Sequence, residues 1–322
     1  MGKVIGIDIS KETFDASWKE NGKFKSVVYS NDKKGFIQFT RHLEVGDHCV
    51  MEASGPYYLC LAMLLHSQEV KVSVANPLSV KRFSQMQLSR TKTDKKDAAM
   101  IAMYGEMVQP DLWQPEAAHI MEMKDILTTL EGYEKQVTML NNQLEAEKHL
   151  PIASRQARKS REKIIKMLDK EIAQLNKTLQ SIATEHCSQT LEKLQSIPGI
   201  GPKTSIMLIA LTNNFENFDD ARKLSAYIGL CPRVYQSGTS VRGKGHICKV
   251  GNARARKLLY ICSWTAQTVN AQCKALKERL EVKGKPSRVI KVAIANKLLR
   301  MAFAVAKKNA TYDKKIGLKA CL

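Results

Sequence analysis

The chain has 322 residues, enough for two domains with separate cores, and 44 % of them are apolar, which excludes a disordered chain. Its net charge of +20 sits almost entirely in the last quarter: residues 237–322 hold 20 basic and 3 acidic side chains, residues 1–110 hold 15 and 12, and residues 111–236 hold 16 of each. Such a localised charge points to a phosphate-rich partner, and the apolar stretches are all too short to span a membrane.

Residues 1–8 enter a strand pattern directly, with no charged n-region or cleavage site before it, so no signal peptide and a cytoplasmic location are expected. Val4 to Ile9 is a short apolar strand with Asp8 near its end. Residues 13–18 and 24–29 read as strands joined by an Asn21-Gly22 hairpin turn. Residues 33–43 have helical spacing. Residues 49–52 form another short strand, stopped by Ser54-Gly55-Pro56. A helix over 59–66, a strand over 70–74, a helix starting at Asn76-Pro77 and a helix over 94–107 follow. A meander of three strands, then alternating helix and strand, matches a ribonuclease-H-like α/β sheet over residues 1–115.

Residues 116–187 change character. Met123, Leu127, Leu130, Val137 and Leu144 recur at spacings built from threes and fours. After Pro151, the run Ile165, Leu168, Ile172, Leu175, Leu179, Ile182 alternates three and four without a break, which is a heptad seam. Two long helices packed as a coiled coil are predicted, within one chain or between chains. Residues 188–322 read as mostly helical, broken at Pro198-Gly199-Ile200-Gly201 and by a Gly-rich loop around 237–251. They end in a basic helix with apolar positions Val289, Val292, Leu298 and Met301. The fold class is thus α/β followed by all-α.

Eight cysteines lack any C-x-x-C pair or zinc spacing, so reduced and mostly buried thiols are expected. Three other constellations carry chemistry. Asp8, Glu52, Asp94 and Asp97 are carboxylates at strand or helix ends, and Asp94 and Asp97 share one helix face. Gathered carboxylates repel unless a divalent cation holds them, and oxygen-only ligands favour magnesium or manganese. Read singly, Asp94 serves equally as a helix N-cap and Glu52 as a surface charge. The block Ile197-Pro198-Gly199-Ile200-Gly201-Pro202-Lys203 resembles a helix-hairpin-helix turn. Gly199 and Gly201 allow close backbone approach there, and Lys203 adds charge for a nucleic-acid phosphate. The alternative is a plain Gly-rich turn between packed helices. The block from Arg233 through Ser237-Gly238-Thr239-Ser240 to Arg242-Gly243-Lys244 sets hydroxyls between cations. There a serine can attack a phosphodiester while arginines stabilise the charge that develops. Lys249, Arg254, Arg256 and Lys257 continue the basic surface.

Together these blocks resemble the Piv-type DNA invertases and the transposases of the insertion-sequence family numbered one hundred and ten. The resemblance covers most of the chain. It runs through Gly6-Ile7-Asp8, Glu52-Ala53-Ser54-Gly55, Lys92-Thr93-Asp94-Lys95-Lys96-Asp97-Ala98, Ile197-Pro198-Gly199-Ile200-Gly201, Gly229-Leu230-Cys231-Pro232-Arg233 and Ser237-Gly238-Thr239-Ser240-Val241-Arg242-Gly243. It implies a RuvC-like domain over 1–115 whose Asp-Glu-Asp-Asp set falls on Asp8, Glu52, Asp94 and Asp97. It implies a coiled-coil region over 116–187 and a transposase domain over 188–322. The nucleophilic serine of that domain matches Ser237 best, with Ser240 a rival. The resemblance further implies donor and target DNA as substrates, a non-coding bridge RNA as guide, and a dimer or tetramer whose subunits complete each other's sites. The rival readings are a RuvC-like junction nuclease that uses water, and a non-catalytic nucleic-acid-binding scaffold.

Overall fold

The computed structural model describes residues 2–88, 93–233, 236–237, 241–242, 246–308 and 310–313. It divides into two compact units, Met1–Pro115 and Glu116–Leu322. The first is mixed α/β and the second almost wholly helical, with eleven helices in all among the described residues.

The first unit is built on a five-stranded sheet of order β3-β2-β1-β4-β5. Strands β1 (Val4–Ile9), β2 (Thr13–Glu20) and β3 (Lys23–Ser30) form an antiparallel meander, and β4 (His48–Glu52) and β5 (Lys71–Ala75) add parallel to β1. The turn between β2 and β3 is Asn21-Gly22, both at positive φ as such a hairpin requires. Strand alternation sends Ile5, Ile7, Phe14, Ala16, Cys49 and Met51 to one face, where they bury against helices α1 (Lys33–Thr40) and α2 (Leu59–Ser67). The other face carries Gly6, Asp8 and Val50 and is covered by α3 (Pro77–Met86) and α4 (Asp94–Val108).

Helix α4 lies on β1 with almost no side-chain layer between them. A Cβ on Gly6 would stand 2.2 Å from the Ala98 carbonyl oxygen and from the Ala102 nitrogen. One on Gly105 would stand 2.7 Å from a Val50 methyl and 2.8 Å from a Val4 methyl. Two glycines, one on the strand and one on the helix, therefore set how closely α4 approaches the sheet. Thr93 is the N-cap of α4, accepting from the Lys96 amide, so the capping role open to Asp94 falls to its neighbour.

In the second unit α5 (Ala118–Glu147) and α6 (Arg155–Gln195) form an antiparallel hairpin within the chain. Met123, Leu130, Leu168 and Leu179 are buried along it, and Arg161 pairs with the buried Glu147 near its tip. Helix α6 breaks at Cys187, whose φ of −134° and ψ of 26° are not helical. The base of the hairpin shares one continuous core with α7 (Pro202–Thr212), α8 (Ala221–Ile228), α9 (Ala253–Val269), α10 (Ala271–Val282) and α11 (Ser287–Lys307). The Gly-rich region expected as loop carries two short antiparallel pairs. Strand β6 (Pro232–Arg233) pairs with β9 (His246–Ile247), and β7 (Gln236–Ser237) with β8 (Val241–Arg242).

Two expectations change. The buried stripe of α11 is Ile290, Ile294, Leu298 and Ala302, and Val289 is 49 % exposed, one residue off the stripe predicted from spacing. The described cysteines are unbonded as expected, but only Cys49, Cys187 and Cys273 are buried; Cys60 is exposed, and Cys231, Cys248 and Cys262 are half-buried.

Candidate acidic centre and basic segment

The strand–helix geometry brings three of the four acidic residues together. Asp8 is on β1, Asp94 is the first residue of α4, and Asp97 lies one turn on. A carboxylate oxygen from each lies within 4.8 Å of the other two. Glu52 ends β4, the parallel neighbour of β1, and stands outside this triad. Its carboxylate accepts a hydrogen bond from Ser54 Oγ at 3.2 Å, yet it is near enough to raise the charge cost at Asp8.

The electrostatics follow from that packing. Asp8 is pushed up from 3.8 to about 6, first by burial, then by Asp97, Asp94, Glu52 and Asp15. Asp15 was missed from the sequence. It pairs with Asp8 across β1 and β2, is 7 % exposed, and is itself held above the ordinary carboxylate range by burial and then by Asp94. A signal was present, since Phe14, Ala16 and Trp18 alternate and leave Asp15 on the face opposite to theirs. An all-oxygen set with this much mutual repulsion fits a hard divalent cation.

The second unit holds the remaining predicted residues. The backbone of Ser237 is paired with Val241, and that of Arg242 with Gln236. Ser240 and Lys244 lie outside the described residues. Arg233, Lys249 and Lys257 are exposed. Arg254 and Arg256 point into the protein instead. The Arg254 side chain is only 9 % exposed, donates to the Leu127 carbonyl and faces Glu134, and Arg256 donates to the Ile228 carbonyl at 2.7 Å. Both join α9 to neighbouring segments and have little reach left for a phosphate.

The predicted helix-hairpin-helix turn is divided in the same way. Gly199, at φ 102°, packs on α9, where a Cβ would stand 2.6 Å from Ala266 Cβ. The Pro198 carbonyl accepts from the buried Asn270 side chain at 3.2 Å. Gly201, the N-cap of α7, is exposed with open space around it, and Lys203 is exposed but pairs with Glu134 at 2.6 Å. Sequence reasoning also left a groove of about 1350 Å³ out of the site. Its floor includes Leu276, Val292 and Met301, and Arg279, Arg288 and Arg300 are among its lining cations.

Comparison with known proteins decides the family. A model described as a transposase matches residues 5–154, and one described as the transposase IS116/IS110/IS902 family matches residues 191–278. The pilin gene-inverting protein of Moraxella lacunata is 30 % identical over 321 residues, covering 97 % of this chain and 98 % of its own. The chain belongs to the IS110 family of transposases and DNA invertases. The pilin gene-inverting protein of Moraxella bovis gives the same identity and coverage. The transposase of insertion sequence element IS1111A from Coxiella burnetii is 25 % identical over 348 residues, covering 96 % of this chain and 91 % of its own. Membership brings a DNA-cleaving recombinase activity and DNA substrates, and the transposase domain suggests dependence on a divalent metal. Among the described residues no helix is long and apolar enough to cross a membrane.

Proposed function

We propose that this transposase cuts and exchanges DNA strands with Ser237 as nucleophile and Asp8, Glu52, Asp94 and Asp97 as a magnesium or manganese site. The observation that carries the reading is the convergence of Asp8, Asp94 and Asp97 within 4.8 Å in a member of a DNA-recombining family. In this reading the first unit is a RuvC-like domain, supported by the sheet order β3-β2-β1-β4-β5 with the acidic residues on one face. Residues 116–187 serve as a coiled-coil region and 188–322 as the transposase domain.

A divalent cation bound by the carboxylates would neutralise charge on the scissile phosphate. Asp8, Asp94 and Asp97 would hold it, with Glu52 at the end of the neighbouring strand as the fourth carboxylate. Ser237 Oγ forms a bond to phosphorus as the bridging P–O bond to the leaving sugar breaks; water takes the serine proton and returns one to the leaving sugar oxygen, which departs as a hydroxyl. Arg233 and Arg242, beside Ser237 in sequence, stabilise the phosphorane charge. Gly201, Lys203, Lys249 and Lys257, with Lys244 from the sequence, contact the nucleic-acid backbone. Arg279, Arg288 and Arg300 add a surface for DNA or for a bridge RNA. Subunits assemble as a dimer or tetramer, and the protein works in the cytoplasm.

The test is a suicide DNA substrate run on a denaturing gel, with mass spectrometry of the trapped peptide. Wild-type protein should give a covalent adduct on Ser237, and Ser237→Ala should bind nucleic acid without forming one. An adduct on Ser240 moves the nucleophile, and cleaved ends without any adduct support a water-using nuclease instead.

A further inference from the structure

Two cysteines stand at the neck of the segment that carries Ser237. Cys231 immediately precedes β6, and Cys248 immediately follows β9. The register of that pair sets Pro232 opposite Ile247 and Arg233 opposite His246, so one further step sets Cys231 opposite Cys248. The backbone bears this out, because the Cys248 amide donates to the Cys231 carbonyl at 2.9 Å. Opposed residues on antiparallel strands have Cα atoms roughly 4.5–5.5 Å apart, within the roughly 4.4–6.8 Å that a disulfide spans. Opposed residues also project to the same face, and Cys248 is near enough to raise the Cys231 thiol. Both are half-buried, so a small reagent reaches them.

We propose that Cys231 and Cys248 are a reversible redox couple, converted by a low-molecular-weight disulfide such as oxidised glutathione into a cystine that closes the neck of residues 232–247. One cysteine thiolate attacks a sulfur of the small disulfide, forming a mixed disulfide and releasing one small thiolate. The second cysteine sulfur attacks the mixed disulfide at the protein sulfur and releases the other. Two protein thiols are oxidised and one small disulfide is reduced to two thiols, which take up the two protons. Burial and then the adjoining Cys248 hold the Cys231 thiol above its ordinary range, so this thiol is mostly protonated at neutral pH.

The pairing chemistry is independent of the catalytic reading; only its bearing on the Ser237 segment rests on that reading. The experiment therefore needs no activity. Full-length wild type, Cys231→Ser and Cys248→Ser are incubated with oxidised glutathione under native conditions. Remaining thiols are then alkylated, and the digest is read by mass spectrometry. Wild type should lose both alkylation sites together and yield one peptide pair linked through Cys231 and Cys248, reversed by dithiothreitol. Each serine variant should instead retain glutathione on its remaining cysteine. Full alkylation of both residues, glutathione adducts on wild type without linkage, or links to other cysteines would each overturn the couple.

Discussion

Burial and the surrounding carboxylates penalise ionisation of Asp8. Its carboxyl is raised from 3.8 to about 6, so the folded state prefers the protonated form. The sign follows: this contribution to stability is full below pH 3.8 and is lost as pH rises through about 6. Metal-free protein should therefore gain stability at pH 8 from Asp8→Asn, by about 1 kcal/mol once solvent screening of this partly exposed group is allowed for. Thermal melts with and without chelator measure it. A divalent cation reverses the preference, because it binds the ionised form. Magnesium or manganese should raise the melting temperature of wild type at pH 8, lose that effect as pH falls below about 6, and leave Asp8→Asn unchanged. An equal metal response from Asp8→Asn would remove Asp8 from the site.

At the scale of elements, the acidic centre depends on how closely α4 approaches β1. Gly6→Ala would force a Cβ onto the backbone of Ala98 and Ala102, and backbone cannot step aside as a side chain does. The cost should be about 2–3 kcal/mol, as for severe overpacking, with metal affinity falling in the same variant because Asp94 and Asp97 ride on the displaced helix. Gly22→Ala, which has nothing within 4 Å but sits at φ 80°, is the control: a turn cost of about 1 kcal/mol with metal affinity unchanged. The heptad seam lies inside the α5–α6 hairpin, with Leu168 5 % exposed, so a charge there would break the hairpin before any assembly. The proposed coiled-coil assembly is better tested on the outer face, where Met139, Ile164 and Met167 are 52, 41 and 58 % exposed. Ile164→Glu with Met167→Glu should lower the mass found by sedimentation while leaving helicity intact. An unchanged mass would leave the hairpin as an internal element only.

At the scale of the whole molecule, the charge of residues 237–322 is expected to dominate nucleic-acid affinity. Truncation cannot probe it, since α11 carries Ile290, Ile294 and Leu298, all at 3 % exposure or less. Substitution can. Lys249→Gln, Lys257→Gln and Arg288→Gln should each flatten the log–log salt dependence of DNA binding by about 0.9 per lost phosphate contact. Arg254→Gln should leave that slope unchanged and lower stability instead, because its guanidinium is turned to Leu127 and Glu134. A flatter slope for Arg254→Gln would mean that the residue leaves its protein partners when nucleic acid binds.

The order of elements was legible in the sequence because strand alternation, the Asn21-Gly22 turn and three-four spacing are local consequences of backbone geometry. The carboxylates Asp8, Glu52, Asp94 and Asp97 were visible because charge at the end of an apolar strand or in a first helical turn stands out locally. What only the tertiary structure decided was distance. It joined Asp8 to Asp94 and Asp97 across about 90 residues of chain through the contact of Gly6 with α4, and it brought Asp15 in as a further charge. It also turned Arg254 and Arg256 inward, although in the sequence they look no different from the exposed Lys257. Whether a cation meets solvent or a carbonyl depends on neighbours far along the chain, and no local pattern encodes that.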